Sequence, residues 1–305
     1  MHPFKQTVVI FAVLAAFGAA KLRFEHTLTA DMRESQLLQP KLKTNLQAQV
    51  GQTSYAVALG GLRSAVAAFM NLKAFNHFDQ LDWIKLEETY NTITELQPKG
   101  TYYWDTGAWH LHTNAAVYYQ ENEDLHPLRR YELHKQYVIK GSDLLEEGVK
   151  QNPDNWRLHV ALAKVWSDYY KYPDLPRTIK HYEDAIACKS MPASLRKMYT
   201  RFLFYTMTRV PDRHEEALAM GRELFKDSRN HLPNLVCCIY ALQHTLNVPE
   251  NQRIPDEKLF PNKSRELMYL KNFQKHQHLG YPMEGVGWKI ELLEKELKPA
   301  ATPSR

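Results

Sequence analysis

Residues 104–111 read Trp-Asp-Thr-Gly-Ala-Trp-His-Leu, and Trp104, Gly107, Ala108 and Leu111 fall at the spacing of one helical face. Just upstream, Trp83 to Leu96 sets Leu86, Tyr90 and Ile93 on a common face and stops before Pro98, which predicts a second helix. A third is predicted from Ser54 to Phe78, where Leu59, Leu62, Val66, Phe69, Met70 and Phe75 recur at the same period. Gly60-Gly61 lies inside that pattern although glycine costs about 1 kcal/mol relative to alanine in a helix, so close approach of a neighbouring helix is the expected reason. Such helices pair into hairpins. Composition agrees: with 305 residues and 44% hydrophobic content the chain folds, and 12 Gly and 16 Pro are too few for a turn-rich β fold, so the expected class is all-α.

Lys and Arg number 39 against 34 Asp and Glu, a net +5 with no basic stripe or arm, which argues against a nucleic-acid partner. The three cysteines are Cys188, Cys237 and Cys238. An odd number with two adjacent makes no disulfide framework, and the apolar run of residues 235–240 makes Cys237 and Cys238 small buried hydrophobes.

The hairpin pattern resembles the tetratricopeptide (TPR) repeat, a 34-residue helical pair with W-x₂-L-G-x₂-Y in its first helix and a closing proline. Counted from Pro98, Ala74 takes the small position of a first helix, and Leu86, Tyr90 and Ile93 take packing positions of its partner. The next unit places Trp104, Gly107, Ala108 and Leu111 on the signature, and its second helix supplies Gly141, Leu145 and Gly148 before Pro153. Pro98 and Pro153 stand 55 residues apart, 21 more than one repeat, so an insertion is expected around Tyr119 to Tyr137, where the sequence reads as a loop. A third unit carries His159, Leu162, Ala163 and Trp166, followed by Tyr182 and Ala185. A fourth hairpin is expected from Ser194 to Phe225 with a turn at residues 210–213. Helices at about 234–246, 264–276 and 284–298 follow, the last as a cap. The resemblance implies a TPR-like helical-hairpin solenoid over 54–298, whose stacked units share a concave groove.

Gln6 to Ala20 is a 15-residue uncharged run between Lys5 and Lys21, short for a bilayer span and the length of a signal-peptide core. Residues 1–21 are therefore expected to be a signal peptide or membrane anchor in a hydrophobic helix, 22–53 a polar stalk and 299–305 a disordered tail. The address expected is membrane-anchored or exported, on the extracytoplasmic side of a bacterial envelope. The whole arrangement is similar to membrane-associated bacterial TPR-like proteins, a resemblance that carries no activity with it.

Chemistry is sparse. His110 with His112 and His276 with His278 are two residues apart, which sends their rings about 200° apart on a helix. His214-Glu215-Glu216 opens like a zinc-protease motif, but Leu218 stands where the second histidine belongs. Glu87-Glu88, Glu146-Glu147 and Glu215-Glu216 read as solvated helix surface. No nucleophile elbow or phosphate loop occurs, so no catalytic residue, metal or cofactor is expected and the chain is read as a non-enzyme. Asn114, four residues past His110, reads as a buried amide sharing its face.

In TPR proteins that bind peptides, set positions of the first helix face the groove. Here they are Tyr102, Asp105, Trp109, His112 and Thr113, then Arg157, Val160, Lys164, Ser167 and Asp168. Tyr102, Asp105, Trp109, His112, Arg157 and Lys164 are the expected partner-binding residues, with Arg157 and Lys164 suited to a carboxylate. The opposing reading packs Trp109 and Tyr102 into the core. The expected function is a protein-protein interaction scaffold of the envelope that docks a peptide or partner subunit. The alternatives are an enzyme or enzyme subunit with its site in residues 119–137 or 247–262, or a small-ligand receptor.

Overall fold

The computed structural model describes residues 61–297, together with Lys21, Thr27, Leu28, Ala30, Asp31, Met32, Glu34 and Ser35. The apolar run Gln6–Ala20, most of the stalk 22–53, residues 54–60 and the tail 299–305 lie outside the described residues. Among the described residues there is no strand, and no helix is long and apolar enough to cross a membrane. The fold is all-α. The chain divides into two compact units between Tyr103 and Trp104.

In the N-terminal unit, α1 (Arg63–Asp79) packs on α2 (Trp83–Leu96). Asp82 starts α2 by accepting a hydrogen bond from the Lys85 backbone N–H at 3.1 Å, so one orphan donor is satisfied. Leu86, Tyr90 and Ile93 are buried on α2, as their spacing requires, and Ala74 is buried on α1. Thr89, Thr92 and Thr94 join them because each hydroxyl donates to a carbonyl one turn back, which removes the cost of burying it. Gly61 corrects the expectation of a long first helix: its φ is +94°, nothing lies within 4 Å of where a Cβ would sit, and α1 begins after it. It serves a turn, which only glycine enters without strain, and not a close helix contact.

The second unit is a succession of helices, each packed chiefly on the next. α3 (Thr101–Trp109), in whose first turn the division falls, runs into a π-helical segment at His110–Ala115 and then α4 (Ala116–Glu121). A short link leads to the 25-residue α5 (Pro127–Gln151), whose first turn carries Pro127 where its missing N–H costs nothing. The segment 119–137, expected as a loop, is mostly helix, with only 122–126 outside α4 and α5. Two glycines let α5 approach. A Cβ on Gly141 would stand 2.6 Å from the His112 Cβ and 2.7 Å from its backbone nitrogen, and one on Gly148 would stand 2.9 Å from Trp104. Backbone cannot yield as a flexible side chain can. Gly141→Ala should therefore cost about 1–3 kcal/mol in a thermal or urea melt. Gly287, with its nearest neighbour at 3.9 Å, should accept alanine with no loss.

Next come α6 (Trp156–Ser167), capped by the Asn155 side chain, and α7 (Leu175–Ala187), capped by Asp174. The sequence pattern had placed His159, Leu162, Ala163, Trp166, Tyr182 and Ala185 on packing faces, and all six are buried. α8 (Ala193–Met207) and α9 (His214–Phe225) form the fourth hairpin, with a tight turn of 3₁₀ helix at Pro211–Arg213. α10 (Pro233–Thr245) is buried nearly all round, the expected fate of a segment holding Cys237 and Cys238, both of which are free thiols. A short α11 (Asp256–Leu259), then α12 (Lys263–Gln274) and α13 (Val286–Leu297), complete the unit. One apolar cluster runs from Trp156 through α10 to Leu293.

A candidate docking trough between α3 and α6

α3 and the π-helical segment present Asp105, Trp109, His112 and Thr113 to the same side, and α6 with its C-terminal extension answers with Arg157, Val160, Ala161, Lys164, Val165 and Asp168. Together with Trp156, Lys171 and Tyr199 these line a cavity of about 470 Å³. Five of the six residues expected at a groove, Asp105, Trp109, His112, Arg157 and Lys164, thus face one space. Tyr102 belongs to the N-terminal unit, where it is exposed with its ring edge against Tyr103 at 5.5 Å. Ser167 does not line the cavity; its hydroxyl donates to the Lys164 carbonyl at 3.1 Å.

The π-helical segment was not foreseen. A wider turn adds a residue to a helix, recurs at functional sites, and leaves no signature in residue type. Here it places His112 and Thr113 on the trough wall, with Thr113 Oγ1 2.9 Å from His112 Nδ1. Lys171, also unforeseen, donates to the same nitrogen at 3.2 Å and pairs with Asp168 at 3.4 Å. The Nδ1 of His112 is thereby an acceptor and the ring is neutral. Burial, with the Lys171 charge adding to it, pushes the His112 imidazole down to about 3. Burial also lowers the Lys171 ammonium against the pull of Asp168. Asp105 keeps a solvent-exposed edge yet is crowded enough that desolvation raises its carboxyl above the usual range, opposed by Lys164.

Trp109 is 48% exposed, which overturns the reading that packs it in the core. Its ring lies 5.1 Å from that of His110, whose Nδ1 is 3.0 Å from the Asn114 amide, the pairing the four-residue spacing implies. Arg157 stacks on Trp156 with its guanidinium 4.6 Å from the ring centre. The trough therefore offers an aromatic face, two exposed cations and two carboxylates, Asp105 and the Lys171-paired Asp168, beside a floor of Val160 and Tyr199.

A second, larger hollow of about 900 Å³ lies among α5, the segment 171–177 and residues 209–211. Its cations are already engaged: Arg177 pairs with Asp174 and stacks on Trp166, and Arg209 donates to the Leu279 carbonyl at 2.6 Å. The loop 247–262 is likewise tied down, because buried Gln243 both donates to the Ile254 carbonyl and accepts from its N–H, and Arg253 donates to the Val248 carbonyl. His214 is spent on the Thr208 carbonyl at 3.0 Å. Of the acidic pairs, Glu215-Glu216 bears a surface bridge from Arg213 to Glu216, whereas Glu146 faces the buried His181 at 3.5 Å. Burial raises the thiols of Cys188, Cys237 and Cys238, which makes them poor nucleophiles.

No protein-family model matches this chain, and no curated protein matches it.

Proposed function

We propose that the chain is a TPR-like interaction scaffold that docks an extended acidic peptide, or an acidic segment of a partner subunit, in the trough between α3 and α6. The observation that carries this reading is Trp109, a large aromatic left half-exposed at the rim of a cavity that also presents Arg157 and Lys164. Aromatic and cationic anchors around a concave surface are what binding hot spots draw on. Carboxylates of the peptide meet Lys164 and Arg157, an apolar side chain covers Val160, and Trp109 closes over it. The N-terminal run Gln6–Ala20 would tether or export the domain, placing the docking event at the envelope.

Selection from a displayed peptide library on the full-length chain tests this, with tryptophan fluorescence as the titration signal. Acidic sequences are expected, and Trp109→Ala and Lys164→Glu should each weaken them about tenfold or more while leaving the melting curve in place. Downward shifts of the melt would make these residues structural. Selection of apolar or basic sequences, or of none, would remove the docking assignment.

A further inference from the structure

Behind the trough, on the other side of α6, three helices bring a separate set of side chains together. His159 of α6 and His181 and Asp184 of α7 each offer an atom within 4.8 Å of the others, and Glu146 of α5 stands beside them. Both rings are more than nine-tenths buried. His159 turns Nε2 to the Pro153 carbonyl at 3.1 Å, which makes that nitrogen an N–H donor, so in the neutral ring Nδ1 carries the free lone pair. His181 turns Nε2 to the Glu146 carboxylate at 3.5 Å. The Nδ1 atoms of both rings are buried without any hydrogen-bond partner. A buried acceptor left unsatisfied costs on the order of 1–3 kcal/mol, and two in one cluster is a conspicuous cost for a packed interior.

His159 Nδ1 also faces Asp184 Oδ2 at 3.8 Å, so with the ring neutral two acceptors confront one another. A cation resolves the conflict. Zinc-class ions bind imidazole nitrogen and carboxylate oxygen at about 2.0–2.2 Å, a tetrahedral spacing of about 3.4 Å between ligand atoms, so the His159–Asp184 pair at 3.8 Å needs a small contraction and the whole set, within 4.8 Å, must close further around an ion. The outer contacts fit as well. Ligating histidines commonly give their other N–H to a carbonyl or a carboxylate, which are the partners that Pro153 and Glu146 supply. Asp184 and Glu146 together offset a double positive charge, and the Asp184 side chain is 44% exposed, which gives an ion access from solvent.

We infer that His159 Nδ1, His181 Nδ1 and Asp184 Oδ2 form a binding site for a divalent transition ion of the zinc class, with Glu146 and the Pro153 carbonyl orienting the two rings. The ion clamps α6 to α7. No local spacing marks the set, because His159 stands 22 residues from His181 on a different helix and only the three-residue step from His181 to Asp184 is local.

The test uses the full-length chain, stripped with a chelator and titrated with Co²⁺ and then Zn²⁺. One Co²⁺ per chain with the visible bands of tetrahedral cobalt is expected, displaced by Zn²⁺, with a rise in melting temperature. Nitrogen-15 spectra of histidine-labelled protein should show the Nδ1 signals of His159 and His181, and not Nε2, moving on addition of Zn²⁺. His159→Gln should abolish the bands, and Asp184→Asn, on a half-exposed side chain, should weaken binding about tenfold or more with the fold intact. If His159→Gln does not fold, Asp184→Asn decides. Absence of stoichiometric binding would overturn the site, and so would affinity unchanged from the unaltered chain in folded Asp184→Asn and His159→Gln proteins, which would place the ion on other histidines.

Discussion

Phe204→Ala should destabilise the C-terminal unit by about 3–5 kcal/mol, because the ring is completely buried and its removal leaves a cavity that the surrounding helices cannot refill. Gly221 on α9 lies so close to the Phe204 ring that a Cβ there would sit 2.7 Å from Cε2, and the cluster around it includes Cys237, Cys238 and Ile239 of α10. For a unit of this size the loss corresponds to a melting point lower by roughly 6–20 °C. Phe202, two residues earlier and 41% exposed, lies against Tyr182 and Tyr199, and its replacement should cost clearly less. Equal losses at the two positions would mean that α8 is not anchored by its buried face.

Acidification supplies the second large effect. The His112 imidazole sits at about 3 in the folded chain against 6.5 in the unfolded one, so between those values the unfolded state binds the extra proton. Stability is therefore complete above pH 6.5 and falls as pH drops toward 3. Each unit below 6.5 costs about 1.4 kcal/mol, and the loss from this ring reaches about 3 kcal/mol by pH 4. The direction follows from burial of the ring first and then from its neighbour, since a charged ring would press on the Lys171 ammonium that now donates to it. Urea unfolding at pH 7 and pH 4 checks this. In His112→Gln, which keeps an acceptor for Lys171 but cannot titrate, the fall should be smaller by about that amount. An unchanged pH dependence would show that the ring is open to solvent.

Much of this was legible in the residues. The helix Trp83–Leu96 has the bounds its periodicity implied, because Asp82 caps it and Pro98 forbids its continuation. The five trough residues follow from the resemblance to peptide-binding TPR proteins and its groove positions, while helical period accounts only for their sharing a face within each helix. Other features depend on packing between distant segments and left no local trace. Gly61 has the composition of a helix interior but the conformation of a turn, and nothing in the period separates the two. Residues 119–137 contain polar stretches that read as a loop, yet most of them belong to two helices that pack on one another. Lys171 and the cluster of His159, His181 and Asp184 owe their chemistry to neighbours on other elements, so spacing along the chain was silent about them.

The wide turn at residues 110–115 carries one residue more than a regular winding would hold, and this sets the two halves of that rod out of phase. Deleting a single residue there would rotate the stretch before it by about 100° relative to the stretch after it. Trp104 and Ala108, which face α5, and Ala116, which is also buried, could then no longer point inward together. The surplus residue works as a fixed phase offset between two inward-facing stripes, so tolerance of insertions and deletions should be lowest there.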